Sequence, residues 1–266
     1  MSPMWDWVHE LERAVAGGKP VALVTVVGVS GSTPREVGAK MLVRMDGTFR
    51  GTVGGGQLEH RVIEDARGCL QRRETRTLRY PLGAKAGQCC GGVMDLLVET
   101  LNVNPRLYLF GGGHVGQAVC TVLEGTSFEV DLIEDREEWI DALELPGSVK
   151  RHREGWEQFV ADAPWDAERT YVAVMTHRHD VDQEIIADVV RRQARYVGLI
   201  GSRAKWHRFQ QRLEARGYAP DELARVQSPI GMPLGGGKAP KEVAISIAAE
   251  LLRLHRMETQ SPQGEP

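Results

Sequence analysis

YLFGGGHVG, residues 108–116, closes an apolar run with the spacing G-x-G-x-x-G and passes at once into a helix-like segment, HVGQAVCTVLE. A strand, a glycine turn and a helix start in that order make a cradle for a diphosphate. Gly111 permits the tight turn, Gly113 lets the backbone come close to phosphate oxygens, and Gly116 lets the helix pack on the strand. Gly112 and His114 complete the loop, and the free N–H groups of the helix start point at the anion without any side-chain charge. A second apolar run, Phe128 to Ile133, ends in the acids Glu134 and Asp135. They stand about 20 residues beyond the loop, where a ribose hydroxyl would be met. The alternative is a glycine turn that only packs a helix on a sheet.

Around this unit, apolar runs at Leu107–Phe110, Glu129–Ile133, Tyr171–Met175 and Tyr196–Ile200 are each followed by polar, helix-like sequence. Such alternation predicts a Rossmann-like, doubly wound parallel sheet, so the fold class is α/β, with this domain at 105–260. Its last helix is expected from Pro240 to His255, with proline in the first turn, Glu242 near the N-terminus and a stripe of Val243, Ile247, Leu251 and Leu254. The end, 261–266, is too polar to pack and is expected to be a disordered tail.

A short polar hinge, Asn102 to Pro105, separates this half from a smaller α+β domain at 1–104. Strands are expected there at Val21–Val29, Lys40–Met45, Thr48–Val53, Thr75–Tyr80 and Val93–Thr100, with one helix at Gln57–Arg73 among them. An amphipathic helix opens the chain, with Trp5, Val8, Leu11 and Val15 on one stripe and Gly17–Gly18 as its stop.

The 266 residues are enough for two ordinary domains, and a net charge of -3 with both signs scattered leaves no footprint for nucleic acid or an anionic membrane. No apolar run approaches the ~20 residues of a membrane span. The N-terminus carries acids and tryptophans where a signal peptide would be basic and then apolar, so a cytoplasmic protein is expected. Cysteines in that compartment argue against structural disulfides, and Cys69 and Cys120 read as small core residues of helices. Cys89 and Cys90, followed by Gly91–Gly92, instead suggest a thiol in a flexible, exposed loop, either inert or in contact with a ligand or sulfur.

Ligands of an open parallel sheet bind beyond the carboxyl ends of its strands. Thr176, His177, Arg178, His179 and Asp180 follow one strand, and GSRAK, residues 201–205, follows the next. Ser202 can cap a helix whose N–H groups, with Arg203 and Lys205, suit a phosphate or carboxylate. Thr176, His177 and His179 are candidate donors to a bound anionic or pterin-like ligand; a helix-capping role is the alternative. The run resembles the H-x-H-x-D-H metal ligands of metallo-β-lactamase-type hydrolases, but Val181 stands where the aspartate is needed and Asp182 where the histidine is. No metal site is therefore expected. In the first half, Gly54, Gly55 and Gly56 precede a helix and make another anion-ready turn, with Arg35 and Glu59 as charges among small residues; a hairpin turn and helix cap is the competing explanation.

Taken together, the motifs GSTPREVGAKMLV (31–43), GTVGGGQLE (51–59), CCGGVMDLLVE (89–99), LFGGGHVG (109–116), LIEDRE (132–137), THRHDVD (176–182), YVGLIGSRAK (196–205) and SPIGMPLGGGKAPKEVAISIAAELL (228–252) resemble those of the XdhC/CoxI family, the xanthine dehydrogenase accessory proteins. The resemblance covers nearly the whole chain. It implies a cytoplasmic, homodimeric chaperone without turnover of its own. Its cargo would be the molybdenum cofactor, molybdopterin or its cytosine dinucleotide, bound at the glycine loop, protected, and handed to an apo molybdenum hydroxylase of the xanthine dehydrogenase type. It also implies sulfuration of the cofactor with a cysteine desulfurase, which would place Cys90 near the ligand. Ala239 departs from the family pattern, which often has threonine before this proline, and removes a side-chain cap worth roughly 1 kcal/mol. The rival function is an NAD(P)-dependent oxidoreductase, which would show the same loop and acids.

Overall fold

The structure, a computed structural model, describes residues 6–83, 91–235 and 237–259. Packing divides the chain into two compact units, 1–103 and 104–266. The expected tail lies outside the described residues.

The first unit comprises α1 (Asp6–Ala16), β1 (Val21–Ser30), β2 (Lys40–Arg44), β3 (Phe49–Gly51), α2 (Gly56–Arg72), β4 (Arg76–Pro81) and β5 (Val93–Leu101). The strands form an antiparallel sheet in the order β3-β2-β1-β5-β4. Helix α2 places Leu58, Val62, Ala66 and Cys69 on one face of that sheet, against Val24, Val26 and Leu96. Helix α1 covers Val21 and Leu42 with Trp7, Leu11 and Ala14. The stripe expected from the sequence is therefore rotated: Val15 is 54% exposed, while Glu10 is buried and reaches the Arg44 guanidinium at the end of β2. A buried carboxylate must find a cation, and satisfying Glu10 sets the roll of the helix.

The second unit runs β6 (Arg106–Phe110), α3 (His114–Leu123), β7 (Glu129–Ile133), α4 (Glu137–Ala142), β8 (Lys150–His152), α5 (Trp156–Asp162), β9 (Asp166–Val174), α6 (His179–Val189), β10 (Ala194–Leu199), α7 (Arg203–Ala215), α8 (Pro220–Ala224), β11 (Val226–Gln227) and α9 (Pro240–Thr259). Its six strands are parallel in the order β11-β10-β9-β6-β7-β8. Counted within the unit this is 3-2-1-4-5-6 read from the β8 edge, the strand order of dinucleotide-binding Rossmann folds. β8 and β11 have three and two residues and carry no periodic signal of their own.

Alternate side chains of the central strands face opposite helical layers. Tyr108, Phe110, Val172 and Val174 pack with α5, α6 and α7, whereas Leu107, Leu109, Tyr171 and Ala173 pack with α3 and α9. Ile247 and Leu251 of the expected α9 stripe are wholly buried. Cys120 sits in this second layer, where burial pushes its thiol up to about 12 and leaves it a core residue.

The edge strand β8 is tied to β7 through a histidine. His152 Nε2 lies 2.7 Å from Asp131 Oδ1, and its Nδ1 lies 3.0 Å from Glu154 Oε1. The hydrogen bond with Asp131 raises the His152 pKa above its ordinary 6.5, against the opposing effect of burial. A group whose folded pKa is raised contributes fully below its unfolded value and loses that contribution as pH rises through the folded value. The urea midpoint is expected to fall as pH increases above about 6.5, and His152→Gln is expected to flatten that dependence.

Candidate functional site

At the end of β6 the glycine loop is held by contacts that leave no room for side chains. Gly111 has φ +111° and donates its N–H to the Ile133 carbonyl at 2.9 Å, and a Cβ there would run into the Met175 carbonyl. A Cβ on Gly116 would collide with the Gly111 carbonyl, so α3 can approach β6 only with glycine at that place. Gly113 is different. It is the N-cap of α3 with an ordinary φ of -68°, and a Cβ on it would meet no atom within 4 Å. Neither packing nor backbone conformation requires glycine there. A bare helix start facing open space is what an approaching anion needs. His114 follows, exposed, as the first helical residue.

Gly112 departs from the expected role. Its N–H donates to Glu134 Oε2 at 2.8 Å, and its carbonyl accepts from Trp139 Nε1 at 2.8 Å and Gln117 Nε2 at 3.1 Å. Glu134 is correspondingly not free for a ribose. It is 4% exposed, and Arg136 holds both its oxygens, from Nε and Nη2, at 2.7 Å each. Burial pulls the carboxyl pKa up, but the Arg136 guanidinium and the Gly112 N–H outweigh it and hold it below the ordinary value. The neighbouring acid, Asp135, is exposed.

Beside the loop, at the ends of β6, β7 and β9, lies a cavity of about 230 Å³. Phe110, Ile133, Trp156, Val181 and Ile185 give it an apolar wall, and Asp135, Arg136, Thr176, His177 and Arg178 a polar rim. Arg136 is fixed on one edge by Glu134 and on one face by Trp139, whose ring centre is 4.9 Å from the guanidinium carbon. Arg178 pairs with Asp180 at the rim. His179, 79% exposed at the start of α6, is not part of the lining.

The loops after β9 and β10 are joined by a buried acid. Asp182 is fully buried and accepts from the Thr176 N–H at 2.9 Å and from Lys205 Nζ at 2.7 Å. Lys205 Nζ also donates to the Ile200 carbonyl at 3.0 Å. The sequence suggested Lys205 as a donor to a ligand anion; the structure turns it inward, because a buried carboxylate without a cation would be far more costly. Ser202 caps α7 by accepting the Lys205 N–H at 3.2 Å, and Arg203 is exposed beside it. Asp182 had a legible signal, since it shares a helical stripe with Ile185, Ile186 and Val189. Trp156 and Arg136 had none.

In the first unit, Gly54, Gly55 and Gly56 all have positive φ, as a tight turn requires. Its donors are partly engaged: Glu59 accepts from the N–H groups of Val53 at 3.2 Å and Gly54 at 3.3 Å, and from the Thr52 hydroxyl. Arg35 is exposed between β1 and β2. Cys89 and Cys90 lie outside the described residues. Among the described residues no three His, Cys, Asp or Glu side chains gather as a metal site would require, and no helix is long and apolar enough to cross a membrane.

An antiparallel unit followed by a parallel sheet with a glycine loop and a cavity at its strand ends defines a two-unit protein of Rossmann type. The chain belongs to the XdhC/CoxI family: residues 107–251 match the XdhC Rossmann domain and residues 14–81 the XdhC and CoxI family. It is 33% identical to the uncharacterized protein YqeB of Escherichia coli K12 over 88% of its length, and spans 43% of that protein. It is 26% identical to the molybdenum cofactor insertion chaperone PaoD of Escherichia coli K12, covering 92% of this chain and 87% of PaoD. It is also 26% identical to a probable xanthine dehydrogenase subunit from Bacillus subtilis 168, over 61% of this chain and 46% of that one. The crystal structure of a xanthine dehydrogenase from Bacillus halodurans shares the fold, with a TM-score of 0.51 at 22% identity, covering 99% of this chain and 98% of the other.

Lys205→Met should leave Asp182 buried without its cation and lower stability in urea denaturation by about 3–5 kcal/mol. A change under 1 kcal/mol would show that the ion pair does not hold these loops.

Proposed function

We propose that this protein binds the molybdenum cofactor at the strand ends of its Rossmann unit, protects it, and delivers it to a molybdenum hydroxylase of the xanthine dehydrogenase type. The observation that carries the proposal is the bare helix start at Gly113 beside a cavity with an apolar wall and a polar rim. A phosphorylated pterin needs both: backbone N–H groups for its phosphate and a slot for a flat ring. Likeness to PaoD over most of both chains supports this choice of cargo. The commitment of Glu134 to Arg136 and Gly112 removes one of the two acids that an NAD-dependent oxidoreductase would turn toward its cofactor ribose and leaves Asp135.

Gly113→Asp is the direct test, because the open space around that residue lets the fold accept a side chain that phosphate cannot. Anaerobic calorimetry is expected to show tight binding of molybdenum cofactor by the unaltered protein and no response to NAD or NADP. Binding should be lost in the variant while its urea midpoint stays within the small range of a surface change. Unaltered affinity in the variant would remove the glycine loop from the site.

Support for sulfuration comes from the sequence: paired Cys89 and Cys90 precede Gly91–Gly92 and β5. A cysteine desulfurase would supply sulfur, with Cys90 handling it. Cys90→Ser is expected to preserve cofactor binding but lower the fraction of sulfurated cofactor found in the target hydroxylase. Normal sulfuration would leave Cys90 as a loop residue only.

A further inference from the structure

The charged groups lining the cavity of the second unit cancel: Glu134 and Asp135 against Arg136 and Arg178. Glu134 and Arg136 are engaged with each other, and Arg178 with Asp180. Asp135 is different. Among the described residues its carboxylate takes part in no hydrogen bond or ion pair, yet it lines the cavity and lies within electrostatic reach of both guanidiniums. A phosphate placed inside would gain little from a lining whose formal charges sum to zero. A neutral ring would bury its faces against Phe110, Trp156, Val181 and Ile185 and could offer N–H groups to the unengaged Asp135 carboxylate.

We propose that Asp135 is the specificity residue of this cavity and reads an aminopyrimidinone edge, a ring N–H beside an exocyclic amino group, through two parallel hydrogen bonds. The ring occupies the cavity, and the phosphate of the same ligand lies outside it at Gly113. Glu134 is then a positioning residue that fixes Arg136 and the loop. This rests on the cargo proposed above, since a pterin carries that edge; guanine carries it as well, and a ribose diol could also donate to a carboxylate.

The test is calorimetric titration of the full chain with pterin-6-carboxylate, GMP, AMP and pyrophosphate. Pterin-6-carboxylate and GMP are expected to bind, AMP to bind no better than pyrophosphate, and Asp135→Asn to weaken the first two roughly 5- to 150-fold, the discrimination of a bidentate pair. Pyrophosphate affinity should not change, and the exposed position lets the variant fold. The proposal is overturned if neither ring compound binds, if Asp135→Asn leaves their affinity unchanged, or if AMP binds as tightly as GMP, which would assign the acid to a ribose. Molybdenum cofactor affinity left unchanged by Asp135→Asn would overturn this inference and leave the proposed function intact. Asp135-dependent binding of the pterin by a protein that does not take up the cofactor would do the reverse.

Discussion

The close approach of α3 to β6 is the constraint on which the second unit depends. Gly116 lies so near the Gly111 carbonyl, and Gly111 so near Met175, that a side chain at either place would force helix and strand apart. Closeness there seats the loop at the ends of β7 and β9, where Gly111 meets the Ile133 and Met175 carbonyls and Gly112 meets Glu134. Two glycines thus build the fold, whereas neither packing nor backbone conformation requires glycine at the N-cap, Gly113. Under the function proposed above, Gly113 is the position of the motif kept open for phosphate.

A second regularity is that carboxylates of the chain itself, buried at Glu134 and Asp182 and half-buried at Glu59, occupy loop donors. Glu134 takes the Gly112 N–H, Asp182 the Thr176 N–H, and Glu59 those of Val53 and Gly54. Each is a case of the same rule: buried N–H groups and charges must be satisfied, and one acid can satisfy several. Loops stapled in this way are held in shape before any ligand arrives, so less ordering remains to oppose binding. The groups that these internal acids leave open include the helix start at Gly113 and the cavity rim, which the proposed function uses.

Strands, layer pattern and glycine loop were legible because they depend on local periodicity and on steric limits that act between near neighbours in sequence. The alternation of apolar runs with helical segments led to the parallel sheet, and the ordered motifs led to the family. Short edge strands β8 and β11 were not legible, since two or three residues carry no period; they exist because neighbouring strands offer unpaired backbone groups. The roll of α1 departs from its apolar stripe for a related reason. Its apolar residues alone did not record that Glu10 must reach Arg44.

By itself the sequence determined the class of sheet, the family, the place of the glycine turn and the acids that follow it, because spacing along a chain is enough to specify such local geometry. Only the tertiary structure decided which charges are paired internally and which stay open. Glu134 and Lys205 looked like contacts and are internal ion-pair members; Asp135, beside one of them, remains unengaged. The physical reason is that a charge is committed by whatever opposite charge folding brings within about 4 Å of it. For Lys205 that partner is Asp182, a residue 23 positions away.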